Sequence, residues 1–102
     1  MTVPFIAEEV YFRVVYPDQT RKYPRIESFV FVGKNLSDED AEDTWYFQFA
    51  DSFAKDGSIL KSAGGDRRVS CVSKSELGDM LDDEQLLNEL SAARSRRLPM
   101  TG

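Results

Sequence analysis

The stretch TWYFQFA, running from Thr44 to Ala50, places a large aromatic side chain at every second position. Trp45, Phe47 and Phe49 share one side of an extended chain, because successive side chains of a strand point to opposite faces. This pattern predicts a β-strand with one buried face. We expect that aromatic face to lie beneath the helices predicted at the C-terminal end of the chain.

Three other segments have the β-branched and aromatic composition of strands, namely Val10–Tyr16, Ile26–Val32 and Arg68–Val72. The first two are predicted to pair antiparallel, although a long connection with two prolines separates them. The fourth is short, and we expect it at or near a sheet edge. Its single cysteine, Cys71, is expected to pack in the core as a small apolar side chain.

The period of the apolar residues changes in the C-terminal third of the chain. Two capping-box patterns, Ser73 with Glu76 and Asp82 with Gln85, each predict the start of a helix. Two apolar stripes follow, and their centres differ by more than a quarter-turn, so one straight helix cannot bury both. The first stripe consists of Leu77, Met80 and Leu81, and the second consists of Leu86, Leu87 and Leu90.

These elements predict an α+β fold, in which two short C-terminal helices pack on one face of a four-stranded, mainly antiparallel sheet. Residues 1–97 are expected to form one domain and residues 98–102 a flexible tail, because 102 residues are too few for two cores. The hydrophobic fraction of 41% and the aromatic fraction of 12% exclude an intrinsically disordered chain.

The charge balance narrows the choice of partners. Eighteen acidic and thirteen basic residues give a net charge of −5, which disfavours nucleic acid and anionic membrane surfaces. We expect neither a secretion signal nor a membrane anchor, because the first residues lack a basic region followed by an apolar run and no apolar run is long enough to span a bilayer. A lone cysteine in so short a chain favours a reducing, cytoplasmic setting.

The sequence offers little for catalysis or for cofactors. It contains no histidine, so hydrolytic triads lack their usual base and a common metal ligand is missing. A phosphate-binding GxxxxGK[ST] loop is absent, and the acidic run that begins at Asp38 fails the calcium-loop template because position 43 is not Gly. We therefore predict no catalytic residues, no metal and no cofactor.

The remaining candidate for a binding surface is an acidic run next to aromatic residues that are expected to be exposed. Both faces of the first two strands carry large apolar side chains, and two helices can cover only one face, so the other face is expected to be open for association. The residues predicted to bind a partner are Asp38, Glu39, Asp40, Glu42, Asp43, Tyr11 and Tyr46.

The most favoured function is therefore non-catalytic binding of a basic protein, as an inhibitor or toxin-neutralising (immunity) protein would do. One alternative is a structural or regulatory module that forms a homodimer through the open sheet face. A second alternative is a small-molecule binder or a carboxylate-dependent enzyme with a pocket between sheet and helices.

Overall fold

The computed structural model describes residues 5–37, 42–61 and 68–98. The predicted tail, residues 98–102, lies outside these residues except for Leu98. The elements, in chain order, are β1 Val10–Val15, β2 Arg25–Lys34, β3 Thr44–Phe49, α1 Ala50–Asp56, β4 Val69–Ser73, a 3₁₀ helix Lys74–Asp79 and α2 Asp83–Arg97.

The four strands form one antiparallel sheet in the order β1-β2-β3-β4. The α+β prediction with a four-stranded antiparallel sheet is thus confirmed. Phe29 of β2 lies opposite Tyr11 of β1 on one side and opposite Phe49 of β3 on the other. One row of aromatic side chains therefore crosses three strands on the same face.

This aromatic face, which we call the first face, holds the main core. Tyr11, Phe29, Phe31, Trp45, Phe47 and Val72 are all buried in it. Met80 and Leu77 from the 3₁₀-helix region cover part of the cluster. Phe5 covers another part, with its ring centroid 4.9 Å from that of Tyr11 and 5.2 Å from that of Phe47. Trp45 and Phe47 are buried as predicted, whereas Phe49 is only partly buried at the border of the same cluster.

The opposite face, which we call the second face, is covered by α1 at its centre. Gln48 lies on this face, since its neighbour Phe47 lies on the first. Its side chain is fully buried and bonds to the Ser52 hydroxyl at 3.1 Å, to the Gly57 carbonyl at 2.9 Å and to the Ile59 amide at 3.0 Å. Val30, which pairs with Gln48, is also buried.

The expectation of an open second face is therefore wrong at the centre of the sheet. The second face is covered there because α1 begins directly after β3, without a loop, and packs against both β2 and β3. The sequence-based prediction assigned cover to the two C-terminal helices alone and gave none to α1.

The outer edge of β1 is closed by the chain that leads into α2. Phe12 and Leu81 exchange backbone hydrogen bonds of 2.8 and 2.7 Å. Both predicted capping boxes are present, at Ser73 with Glu76 and at Asp82 with Gln85. The predicted break between two helices is confirmed, but the first is a 3₁₀ helix. Leu87 of the predicted second stripe is 66% exposed.

The C-terminal end of α2 is tied to the connection between β1 and β2. The Tyr16 hydroxyl donates to the Glu89 carboxylate, and the Arg96 guanidinium donates to the Arg21 carbonyl at 2.9 Å. The hydrogen bond from Tyr16, and then the charge and hydrogen bond of Arg96, lower the pKa of Glu89 below its ordinary value. The network fixes the position of α2 along β1. Within the residues described, no helix is both long and apolar enough to cross a membrane.

Candidate functional site: an acidic groove

Two adjoining cavities lie where the N-terminal segment meets the start of α2. The first has a volume of about 360 Å³ and the second about 310 Å³, and they share Tyr11 and Asp82. We call them together the acidic groove. The first cavity is lined by Ile6, Glu9, Val10, Tyr11, Asp82, Asp83 and Glu84, and the second by Phe5, Tyr11, Leu77, Gly78, Met80, Asp82 and Gln85.

Backbone contacts hold the N-terminal wall of the groove in place. The Glu8 amide donates to the Phe31 carbonyl at 2.8 Å, and the Phe31 amide donates to the Glu9 carbonyl at 3.0 Å. Glu8 adopts a left-handed conformation with φ of 67°, which turns the chain before β1. The Ile6 amide donates to the Tyr11 hydroxyl at 2.8 Å, so Ile6 is held beside Tyr11.

The opposite wall is set by the bridge between Phe12 and Leu81. Because Leu81 is paired with β1, the next residue, Asp82, lies at the sheet edge and caps α2 there. Its carboxylate accepts the Gln85 amide at 2.8 Å. Asp83 and Glu84 follow in the first helical turn, where negative charge interacts favourably with the helix dipole.

Four carboxylates, those of Glu9, Asp82, Asp83 and Glu84, therefore border the groove. Among the described residues, no Lys or Arg forms an ion pair with any of them. The acids on α2 lie at its capped start, and the Glu9 carboxylate on the facing wall accepts the Val10 amide at 2.9 Å. A cation that enters the groove gains this negative field without displacing an existing ion pair.

Apolar residues also line the groove. Tyr11 is only 5% exposed, whereas Ile6 is 65% exposed and offers apolar surface beside the carboxylates. Such a surface fits a chain that carries a cationic side chain next to an apolar one, because each group meets its complement. In the part of the chain that the structure describes, no cluster of three His, Cys, Asp or Glu side chains is placed to hold a metal ion.

Of the sequence-predicted binding residues that the structure describes, Tyr11 and Tyr46 lie on opposite faces of the sheet. Tyr11 lies in the groove but is buried on the first face, so the expectation that its ring is exposed is wrong. Tyr46 is half-buried and, by alternation from Phe47, belongs to the second face. Asp38, Glu39 and Asp40 lie outside the described residues.

Glu42 and Asp43 are exposed, and Asp43 has local partners. Its carboxylate accepts from the Asn35 side chain at 3.1 Å and pairs with Lys34 at 3.3 Å. The Asn35 hydrogen bond, followed by the interactions with Lys34, lowers the pKa of Asp43. This carboxylate ties together the two ends of the connection between β2 and β3, so it has a structural role in the described part of the acidic run.

Sequence reasoning missed Ile6, Glu9, Asp83 and Glu84 as groove residues. The acidic residues before α2 indicate a helix start in the sequence, which they also are. No local pattern connects them with Ile6 and Glu9, because the contact depends on the pairing of Phe12 with Leu81. A pairing of this separation leaves no periodic signal in a single sequence.

Comparisons with protein-family models, with characterised proteins and with solved structures gave no match. The site's own geometry is therefore the basis for a functional proposal.

Proposed function

We propose that this protein binds a protein partner without catalysis, by accepting a basic, partly apolar segment of that partner in the acidic groove. The observation that carries the proposal is the set of four carboxylates beside apolar lining residues, with no cation paired to them among the described residues. The net charge of −5 would steer a basic partner toward the protein and accelerate association.

A narrower form of the proposal is an inhibitor or toxin-neutralising protein that acts in the cytoplasm. It is supported by the acidic charge, the absence of histidine and the single unpaired Cys71. Masking the basic surface of an enzyme requires a stable, charge-complementary surface and no chemistry of its own. Tight binding would come from apolar contacts at Ile6, and the carboxylates would supply specificity and rate.

Selection from a random dodecapeptide library tests this proposal. We expect enriched peptides to carry Lys or Arg beside apolar residues, and to shift the amide resonances of Ile6 and Glu9 and those of residues 82–85. The triple variant E9Q/D83N/E84Q should weaken their binding about tenfold at low salt and flatten the salt dependence. Asp82 is left unchanged because it caps α2.

The matched control is E39Q/D40N/E42Q, which removes the same number of charges from the acidic run. If this control weakens binding and the groove variant does not, the run predicted from sequence is the docking surface and the groove is not. Enrichment of neutral or acidic peptides, or of none, would also contradict the proposal.

A further inference from the structure

One side of the β4 backbone is hydrogen-bonded to β3, and the other side has no strand partner among the described residues. The Phe49 amide donates to the Arg68 carbonyl at 3.0 Å, which marks Arg68 as hydrogen-bonded to β3. In an antiparallel ladder the amide and carbonyl of one residue point to the same side, and this side alternates along the strand. Ser70 and Val72 therefore face β3, and the backbone groups of Val69 and Cys71 point outward.

No described residue pairs with the outward backbone groups of Val69 and Cys71, because β4 is the last strand of the sheet. The strand reads VSCVS, so it has neither a charged side chain nor a proline. Natural edge strands are commonly protected from pairing by such residues, or by a covering segment such as the one that closes β1 at Leu81. Cys71, which was expected in the core, is instead exposed.

We propose that this edge pairs with the same edge of a second copy of the chain, forming a continuous sheet through two β4 strands. The pairing is antiparallel, and the two-fold axis passes beside Ser70. In this register Val69 of each copy lies opposite Cys71 of the other, and both residues direct their amide and carbonyl groups outward. Every outward group of these two residues then has a partner.

The neighbouring register, centred on Cys71, is less favourable. It places Val69 opposite Ser73, whose amide already bonds to the Glu76 carboxylate at 3.3 Å. It also places Arg68 opposite Lys74. In the register centred on Ser70, Arg68 instead lies opposite Val72.

Charge favours a second copy over the basic segment proposed for the acidic groove. Lys74 follows β4 directly, so a basic segment would be repelled at that end of the edge. Between two copies, the paired residues themselves are neutral. Arg68 keeps its own counter-ion, because its guanidinium lies 2.5 Å from the Asp51 carboxylate.

Disulfide trapping tests both the contact and its register. Ser70 would face Ser70 of the second copy as a non-hydrogen-bonded pair, with Cα atoms about 4.5 Å apart, a spacing that a disulfide can span. We expect S70C/C71S to form a covalent dimer at least about tenfold faster than L87C/C71S, which presents an exposed thiol on α2 and reports random collision. Equal rates would overturn the proposal.

Sedimentation of the reduced protein gives a second test that needs no cross-link. The average mass of the wild type should rise above 11.6 kDa between about 10 μM and 1 mM. C71K should suppress this rise and C71S should preserve it, since a lysine guards an edge strand.

The double variant V69E/C71K should restore association. In the proposed register, the carboxylate introduced at position 69 of each copy faces the ammonium introduced at position 71 of the other, and opposite charges across a strand pair attract. A wild type that stays monomeric throughout, or no rescue by V69E/C71K, would refute the pairing.

Discussion

At the scale of single residues, the sequence shows which residues of one strand share a face. It does not show which faces of neighbouring strands lie on the same side of the sheet. The sequence predicts correctly that Trp45 and Phe47 share a buried face. It does not show that Tyr11 shares that face, since this depends on the pairing of Tyr11 with Phe29. A tight hairpin turn would have fixed the register, but a long connection with two prolines joins β1 to β2.

Gln48 is a fully buried polar residue, and its replacement should destabilise the fold. Q48A would remove the hydrogen bonds that the buried Gln48 side chain makes with Ser52, Gly57 and Ile59. Because the loss of several buried or part-buried hydrogen bonds is costly, we expect the free energy of unfolding to fall by about 2–4 kcal/mol. Urea denaturation followed by tryptophan fluorescence measures it.

The matched control is Q19A, which removes an exposed glutamine from the connection between β1 and β2. It should change the free energy of unfolding by less than about 0.5 kcal/mol. If Q48A is as mild as Q19A, the buried bonds on the second face do not hold α1 to the sheet.

At the scale of elements, the start of each C-terminal helix could be predicted because a cap is a local pattern. Ser73 with Glu76 and Asp82 with Gln85 satisfy exposed amides within four residues. The helix type could not be predicted in the same way. The segment Lys74–Asp79 forms a 3₁₀ helix, and Leu81 pairs with Phe12 two residues after its end. This pairing is a long-range contact that the local pattern does not reveal.

The cap on α2 can be separated from the charge of the groove by comparing D82A with D83A. Each variant removes one carboxylate from the same cavity, but only Asp82 accepts the Gln85 amide. We expect D82A to lower the free energy of unfolding by about 1 kcal/mol and D83A by about 0.3 kcal/mol. Hydrogen exchange at Gln85 should accelerate in D82A alone. Equal exchange in both variants would contradict the capping role.

At the scale of the whole molecule, the fold class followed from composition and period, whereas the covering of the two faces did not. Strand content and helix starts are local properties, and they were correct. Which segment covers a given face of the sheet depends on long-range contacts. Phe5 packs over the first face and α1 over the second. Neither segment has a long periodic pattern that would predict which face it packs against. The prediction of an open aromatic face was wrong for that reason.

Phe5 tests whether this cover keeps the aromatic face from solvent. Its ring contacts those of Tyr11, Phe31 and Phe47, so F5A should lower the free energy of unfolding by about 2–3 kcal/mol. F5A should also bind the dye ANS in the absence of denaturant, because aromatic surface becomes exposed. The control L87A removes an already exposed leucine and should change neither quantity. An F5A protein with unchanged stability and no dye binding would show that the N-terminal segment does not cover the first face in solution.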